Sequence, residues 1–225
     1  MKLNEEQLKN IDIIKQAYEK LNAPDDTPRL TVLLSTAMIE SSLKSNQKNY
    51  QCKYCGIYQL SEGYNNECEK TEDRFDIEKS TNCTYNIMLQ NKKRWEKEKI
   101  SKWKDYMYYL MHQQGFSGFK YIYNNRNKKI KNMRNDIIKN ITGNIPLKDG
   151  KKVITENNVG QDFINIWEKR FEELTKEFQT IVGEKKDIKA NEKNKLKVFY
   201  TGIGLTALGG LTYYFIIQDK KNNCF

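Results

Sequence analysis

Residues 31–43 read TVLLSTAMIESSL, and this stretch predicts an apolar helix that carries a carboxylate at its C-terminal end. Thr27 and Pro28 suit the N-cap and the first helical position, so we expect the helix to run from there to Leu43. Partial burial and the negative end of the helix dipole both raise the pKa of a carboxyl placed like that of Glu40. A carboxyl that stays protonated near neutral pH suits general acid catalysis. The alternative is an ordinary exposed glutamate near a helix end.

Apolar residues at helical spacing on both sides of this stretch predict a mainly α fold. In the N-terminal segment they are Leu8, Ile11, Ile14, Tyr18 and Leu21. Further helices are predicted at about 83–97, 101–114, 117–126, 130–141 and 160–178. We therefore expect a helical domain at residues 1–180.

The composition limits the classes of function. The chain has 225 residues, with 39 Lys+Arg against 29 Asp+Glu and a net charge of +10, which predicts attraction to nucleic acid, anionic lipid or an acidic cell wall. A single histidine excludes a metal centre with two or three histidine ligands. The sequence contains no glycine motif for binding phosphate, and we expect no cofactor.

The C-terminal region predicts a membrane anchor. Residues 198–217 read VFYTGIGLTALGGLTYYFII without a charge, and a helix of this length spans ~30 Å, the thickness of a bilayer's hydrocarbon core. Its small residues favour a membrane helix over the alternative, a buried core helix. Residues 181–197 are expected to form a charged linker before the span, and residues 218–225 a short tail after it.

Four cysteines, Cys52, Cys55, Cys68 and Cys83, fall in one region of the sequence, and Cys224 lies apart from them. Two disulfides are one interpretation of the four. A zinc site is the second, because the spacing contains one Cys-x₂-Cys pair. Free thiols are the third.

Three segments follow Glu40-Ser41 in order. They are GIYQ at 56–59, Asn86-Ile87, and MHQQG at 111–115. Together the four resemble the lysozyme-like domain of lytic transglycosylases of the soluble type, which are related to goose-type lysozyme. The branch found in bacteriophage virion proteins is the most similar. The closing helix QDFINIWEKRF at 161–171 also resembles that branch, and the resemblance covers roughly residues 5–178.

The resemblance implies a lysozyme-like helical fold, with a little β structure near the cleft, that cleaves the β-1,4 bond between N-acetylmuramic acid and N-acetylglucosamine. It implies that Glu40 protonates the glycosidic oxygen and then acts as the base. The residues that it implies for substrate binding are Ser41, Tyr58, Gln59, Tyr85, His112 and Gln113. For His112, a satisfied histidine within a helix is the alternative.

The number of carboxylates bears on the mechanism. A glycosidase with two carboxylates needs a second one ~5–9 Å from the first. Glu62, Asp73 and Asp76 are the nearest candidates along the chain, and none of them lies in a recognisable pattern. We therefore expect a one-carboxylate transglycosylase. A hydrolytic lysozyme of the same fold and a non-enzymatic, basic, membrane-anchored adaptor are the alternatives.

The ends of the chain give an expectation for its location. The N-terminal residues are charged and carry no apolar export signal, whereas the apolar span is C-terminal. We expect a protein of a virion membrane or of the host envelope, which opens the wall locally for genome entry. The expected partners are peptidoglycan strands, a lipid membrane through 198–217 and other virion proteins, with no specific nucleic acid. Basic residues on both sides of the span leave its topology open.

Overall fold

Helices make up most of the chain in the computed structural model, which describes residues 1–25, 27–49, 52–61, 70–148 and 151–203. Within these ranges the helices are α1 (Glu5–Lys20), α2 (Leu30–Ser41), α3 (Thr71–Phe75), α4 (Ile77–Lys97), α5 (Tyr106–Asn124), α6 (Asn135–Gly143) and α7 (Gly160–Ile203). A 3-10 turn at Ile130–Asn132 precedes α6. The prediction of a mainly α protein is confirmed.

Helix α1 begins with a reciprocal cap. The Asn4 side chain accepts a hydrogen bond from the backbone N–H of Gln7 at 2.9 Å, and the Gln7 side chain accepts one from the backbone N–H of Asn4 at 3.0 Å. The helix buries Ile11, Ile14 and Ala17 against the rest of the domain, where it packs on α2 and α4. This burial confirms part of the apolar spacing from which the helix was predicted.

Helix α2 is shorter at both ends than we predicted. Its N-cap is Arg29 and not Thr27, whose hydroxyl donates to the carbonyl of Pro24. It ends at Ser41, because Ser42 and Leu43 adopt left-handed backbone with φ of 55° and 62°. The N–H of Leu43 donates back to the carbonyl of Ala37 at 3.2 Å, which closes the helix in the manner of a Schellman motif.

A small antiparallel sheet follows α2, made of β1 (Lys48–Asn49), β2 (Tyr54–Cys55) and β3 (Leu60–Ser61) in the order β1-β2-β3. Its register pairs Lys48 with Cys55, and Cys55 with Leu60. The turn between β2 and β3 is GIYQ at 56–59. A second hairpin, β4 (Leu147–Lys148) with β5 (Lys151–Lys152), lies before α7.

The two helices predicted at 101–114 and 117–126 are present as the two halves of α5, and they meet at a break at Gly115. Gly115 has φ 68° and ψ 159° inside α5, a conformation that glycine adopts without a steric penalty. The start of α4 also differs from the prediction. The helix begins at Ile77, six residues before the predicted start at about residue 83. The helix α3 was not predicted.

Aromatic side chains fill the centre of the domain. Trp95 of α4 is fully buried and stacks on Phe119 of α5, with ring centroids 5.4 Å apart. On the other side of α5, Tyr109 packs against the rings of Trp167 and Phe171 from α7. The helix α5 therefore lies between α4 and the first part of α7.

The chain divides into two units, Met1–Gln179 and Thr180–Phe225. In the second unit the backbone is helical to Ile203, so residues 181–197, which we predicted as a linker, have helical backbone; Lys and Glu favour this conformation. Among the described residues, none of the helices combines the length and the apolarity that crossing a membrane requires. The predicted span at 198–217 lies outside the described residues from 204 onward.

Candidate functional site

Glu40 lies in the last turn of α2, half-buried between protein and solvent. Desolvation raises the pKa of its carboxyl from 4.5 to about 7, and a hydrogen bond from Tyr109 acts in the opposite direction. The direction of this shift agrees with the sequence-based expectation, and its cause is burial. Glu40 can therefore hold a proton near neutral pH and still meet solvent, which a general acid requires.

Tyr109 of α5 is the side chain that acts on the pKa of Glu40. Its ring is 2% exposed and packs between Trp167, with centroids 5.0 Å apart, and Phe171, with centroids 5.9 Å apart. Its hydroxyl also accepts a hydrogen bond from Nε2 of Gln113 at 2.8 Å. Burial and the neighbouring Glu40 charge keep the pKa of Tyr109 well above its ordinary value, so the hydroxyl stays protonated and can donate to the carboxylate.

The turn 56–59 is attached to the end of α2 by its own carbonyl groups. Ser41, directly after the acid, donates from Oγ to the carbonyl of Ile57 at 2.8 Å. Gln59 donates from Nε2 to the carbonyl of Gly56 at 2.8 Å. The predicted cleft residues Ser41 and Gln59 thus meet the turn, where their polar groups satisfy buried backbone.

His112 of α5 is hydrogen-bonded to a third carbonyl of the same turn. Its Nε2 lies 2.8 Å from the carbonyl oxygen of Tyr58, so this nitrogen carries the proton. Burial lowers the pKa of His112, although the hydrogen bond to Tyr58 raises it, and the ring is neutral at pH 7. Its Nδ1 is buried without a partner among the described residues. His112 thus bonds to the turn through one ring nitrogen, and the predicted role in sugar binding stays a prediction.

The contact between Ser41 and the turn leads to a prediction for stability. Ser41→Ala removes the bond to Ile57 and the acceptor for the N–H of Lys44 at 3.1 Å, in a residue that is only 6% exposed. We expect a loss of about 1–2 kcal/mol in the free energy of unfolding, measured by urea denaturation. Ser42→Ala, at the exposed neighbouring position, is the control, and equal midpoints for the two variants would contradict the role of Ser41.

Two predicted substrate residues lie in the core. Tyr58 is fully buried, and its hydroxyl lies 3.2 Å from Oγ1 of Thr81. Tyr85 is 5% exposed and packs edge-on against Tyr18, with ring centroids 6.4 Å apart. A ring that stacks on a sugar must expose a face, so we correct the expectation for both: here they pack the interior.

The second carboxylates considered from the sequence have structural partners. Asp73 pairs with Nζ of Lys79 at 2.6 Å, and Asp76 caps α4 by accepting from the N–H of Lys79 at 3.0 Å. Glu62 lies outside the described residues. Among the described residues, Tyr109 is the side chain that acts on the pKa of Glu40.

The cysteines separate into two groups. Cys52 and Cys55 form a disulfide next to the turn 56–59, and Cys83 is buried in α4. Cys68 and Cys224 lie outside the described residues. The disulfide uses two of the four thiols that the zinc interpretation requires, and the described residues contain no group of three or more His, Cys, Asp or Glu side chains that could hold a metal ion.

A groove lies beside the segment that carries Glu40. Its volume is about 330 Å³, and Met38, Ile39 and Ser42 of the α2 end form one wall. The opposite wall belongs to α7, with Arg170, Glu173, Leu174 and Glu177. Glu40 does not line this groove, because helical spacing places it on a different face of α2 from Met38 and Ser42.

Comparison of the chain with protein-family models, curated proteins and solved structures found no match. The site must therefore be interpreted from its own geometry. No role was predicted for Tyr109. Its i,i+4 spacing to Gln113 on one helix face is the sequence signal for the contact between them.

Proposed function

We propose that the chain is a peptidoglycan-cleaving lytic transglycosylase with Glu40 as the single general acid and base. The observation that carries the proposal is a half-buried carboxyl at the end of α2, next to Ser41, which bonds to the turn 56–59; burial raises the pKa of this carboxyl to about 7. The contacts that join residues 40–41, 56–59 and 109–113 support it, because three of the segments that resemble the family meet at one place.

The reaction has two proton transfers. Glu40, protonated, gives its proton to the glycosidic oxygen as the bond from that oxygen to C1 of the muramyl sugar breaks. The carboxylate then takes the proton of the muramyl C6 hydroxyl, whose oxygen forms the new bond to C1. The product is a 1,6-anhydro sugar, Glu40 regains its proton, and no water is consumed.

This mechanism requires a carboxyl that changes charge easily in both directions. A pKa of about 7 meets the requirement, because the proton is then held and released with similar ease at neutral pH. A glycosidase with two carboxylates would need a partner for Glu40, and Asp73 and Asp76 are engaged in an ion pair and a helix cap.

The test is product analysis by mass spectrometry after digestion of purified peptidoglycan by the full chain. We expect anhydro-muropeptides, which are lighter than the hydrolysis products by one water. If only hydrolysis products form, the chain is a hydrolytic lysozyme of the same architecture and not a transglycosylase. No cleavage, together with salt-dependent binding to anionic polymers, would favour a non-enzymatic adaptor.

We also propose that the chain acts at a membrane, in a virion or in the host envelope, and opens the wall locally for genome entry. The support is the uncharged segment 198–217, which lies outside the described residues from 204 onward. The full chain should stay with lipid vesicles during flotation at high salt. Release by salt alone would limit the association to its net charge of +10.

A further inference from the structure

The positive charge of the chain is concentrated in one part of the domain, residues 126–160, which we call the basic region. It contains nine Lys and Arg against three Asp and Glu, a net charge of +6 out of the +10 of the whole chain. Its two ends are joined by the backbone: the N–H of Lys131 donates to the carbonyl of Glu156 at 2.9 Å, and the N–H of Gly160 to the carbonyl of Lys128 at 3.0 Å. The charge therefore lies on one connected piece of surface, which includes α6 and the β4–β5 hairpin.

The lysines of the basic region keep their charge largely uncompensated. Among the described residues, the ion pair of this region joins Arg134 to Asp136 at 2.6 Å. Lys152 donates from Nζ to the carbonyl of Thr142 at 2.6 Å, an acceptor without a formal charge. The other exposed lysines are Lys128, Lys129, Lys131, Lys139 and Lys151. Solvated lysine surfaces are common, so a partner must be inferred from a second feature.

The second feature is apolar. Among the described residues four large apolar side chains are exposed, and two of them, Leu147 at 66% and Val153 at 41%, belong to this hairpin. The register pairs Leu147 with Lys152, and the N–H of Val153 donates to the carbonyl of Pro146 at 3.2 Å. Cross-strand partners share a face and successive residues alternate, so Leu147 lies on the face of Lys152 and Val153 on the face of Lys151. Each exposed apolar side chain therefore shares its face with an exposed lysine.

We propose that the β4–β5 hairpin and the lysines of the basic region form a docking surface for an anionic lipid membrane. The ammonium groups bind the anionic headgroups, and Leu147 and Val153 enter the boundary between the headgroups and the acyl chains. The helical domain makes this contact itself, so the inference depends neither on the segment 198–217 nor on the cleavage of peptidoglycan.

A lipid surface satisfies both features, whereas other anionic partners satisfy one. A nucleic acid or an acidic wall polymer neutralises the lysines but leaves Leu147 and Val153 in water. A protein interface buries about 800 Å² on each partner around an apolar centre, and two side chains on opposite faces of a hairpin do not supply one. A membrane accepts single apolar side chains, because the lysine beside each of them extends its charged end to the headgroups.

The test places a fluorescent probe on the hairpin of the full chain. Leu147→Trp adds an indole at an exposed position, and vesicles with brominated acyl chains quench the indoles that reach them. The wild type gives the background of its three tryptophans. We expect added quenching with vesicles that contain about one third phosphatidylserine, and little with phosphatidylcholine alone. Leu8→Trp, at an exposed leucine of α1 outside the basic region, is the matched control and should add no quenching.

Reversal of charge then tests the lysines. When Lys139→Glu and Lys151→Glu are added to Leu147→Trp, the equilibrium constant for insertion should fall at least about 25-fold, because each lysine near an anionic surface contributes a factor of about five. The added quenching should then largely disappear. Lys93→Glu with Lys97→Glu, at exposed positions of α4, makes the same change in net charge and should leave the quenching nearly unchanged.

Three results would overturn the docking surface. They are no added quenching with anionic vesicles, equal quenching with neutral and anionic vesicles, and an equal loss of quenching in the two charge-reversed variants. In the last case the net charge alone explains the association. Flotation at high salt tests the segment 198–217, and product analysis tests the cleavage, so either of those proposals can fail while this one stands.

Discussion

Glu40→Gln should lower the rate of peptidoglycan cleavage at least about 100-fold, the scale typical of losing a general acid. Glutamine nearly matches the size of glutamate, but its amide has no acidic proton to give to the glycosidic oxygen. The rate is measured by release of soluble muropeptides from purified wall. The matched control is Glu19→Gln in the last turns of α1, because this glutamate is 62% exposed and has the ordinary helix-end environment.

The same substitution should stabilise the protein at high pH. The pKa of Glu40 is about 7 in the folded protein against 4.5 when unfolded, so the folded state binds this proton more tightly. The stability from this proton is complete below about pH 4.5 and is lost as the pH rises through 7. One tenfold change is about 1.4 kcal/mol, so at pH 8 the charged, desolvated carboxyl costs about 3 kcal/mol, which glutamine avoids.

Urea midpoints at pH 4 and pH 8 test this second effect. Glu40→Gln and the wild type should be about equally stable at pH 4, and the variant should be more stable at pH 8. A variant that is inactive and also less stable at pH 8 would indicate misfolding as the reason for the lost activity. A variant that stays active would move catalysis to another residue.

The helix that carries Glu40 was predictable because its apolar residues and its carboxylate are adjacent in the sequence. The side chain that acts on the pKa of Glu40 could not be predicted in the same way. Tyr109 comes from another helix, and its place beside the acid depends on how Trp167 and Phe171 of α7 fix its ring. Periodicity predicts which face of a helix is buried, but not which polar group on the partner helix it meets.

The hydrogen-bond partners of three predicted residues also depended on packing. The sequence placed Ser41, Gln59 and His112 near the site, and the structure brings them to the turn 56–59. Their polar atoms bond to three consecutive carbonyls of that turn, because buried backbone oxygens need donors. The need for these donors arises only when the chain folds, so the bonds of Ser41 and His112 to the turn could not be predicted from the sequence.

Gly56→Ala should prevent folding or reduce the stability by more than about 4 kcal/mol, a loss comparable to the whole stability of many domains. Gly56 has φ +76°, and a Cβ at this position would overlap the backbone carbonyl oxygen of Arg74. Arg74 cannot move aside, because its guanidinium is buried and donates to the carbonyls of Cys52 and Leu60 at 3.3 Å each. The overlap involves backbone on both sides, so a change of rotamer cannot relieve it.

Far-UV circular dichroism and thermal unfolding measure the effect, with Gly143→Ala as the control. A Cβ at Gly143, in the last turn of α6, meets no atom within 4 Å, so this alanine should leave the transition temperature nearly unchanged. Gly115→Ala separates strain from overlap, because Gly115 also has positive φ, at +68°, but has open space around it. Its backbone lies in a region that is essentially restricted to glycine, so we expect a loss of about 1–3 kcal/mol. If Gly56→Ala unfolds at the same temperature as Gly115→Ala, the close approach of Gly56 to Arg74 does not set the position of the turn that Ser41 and His112 hold.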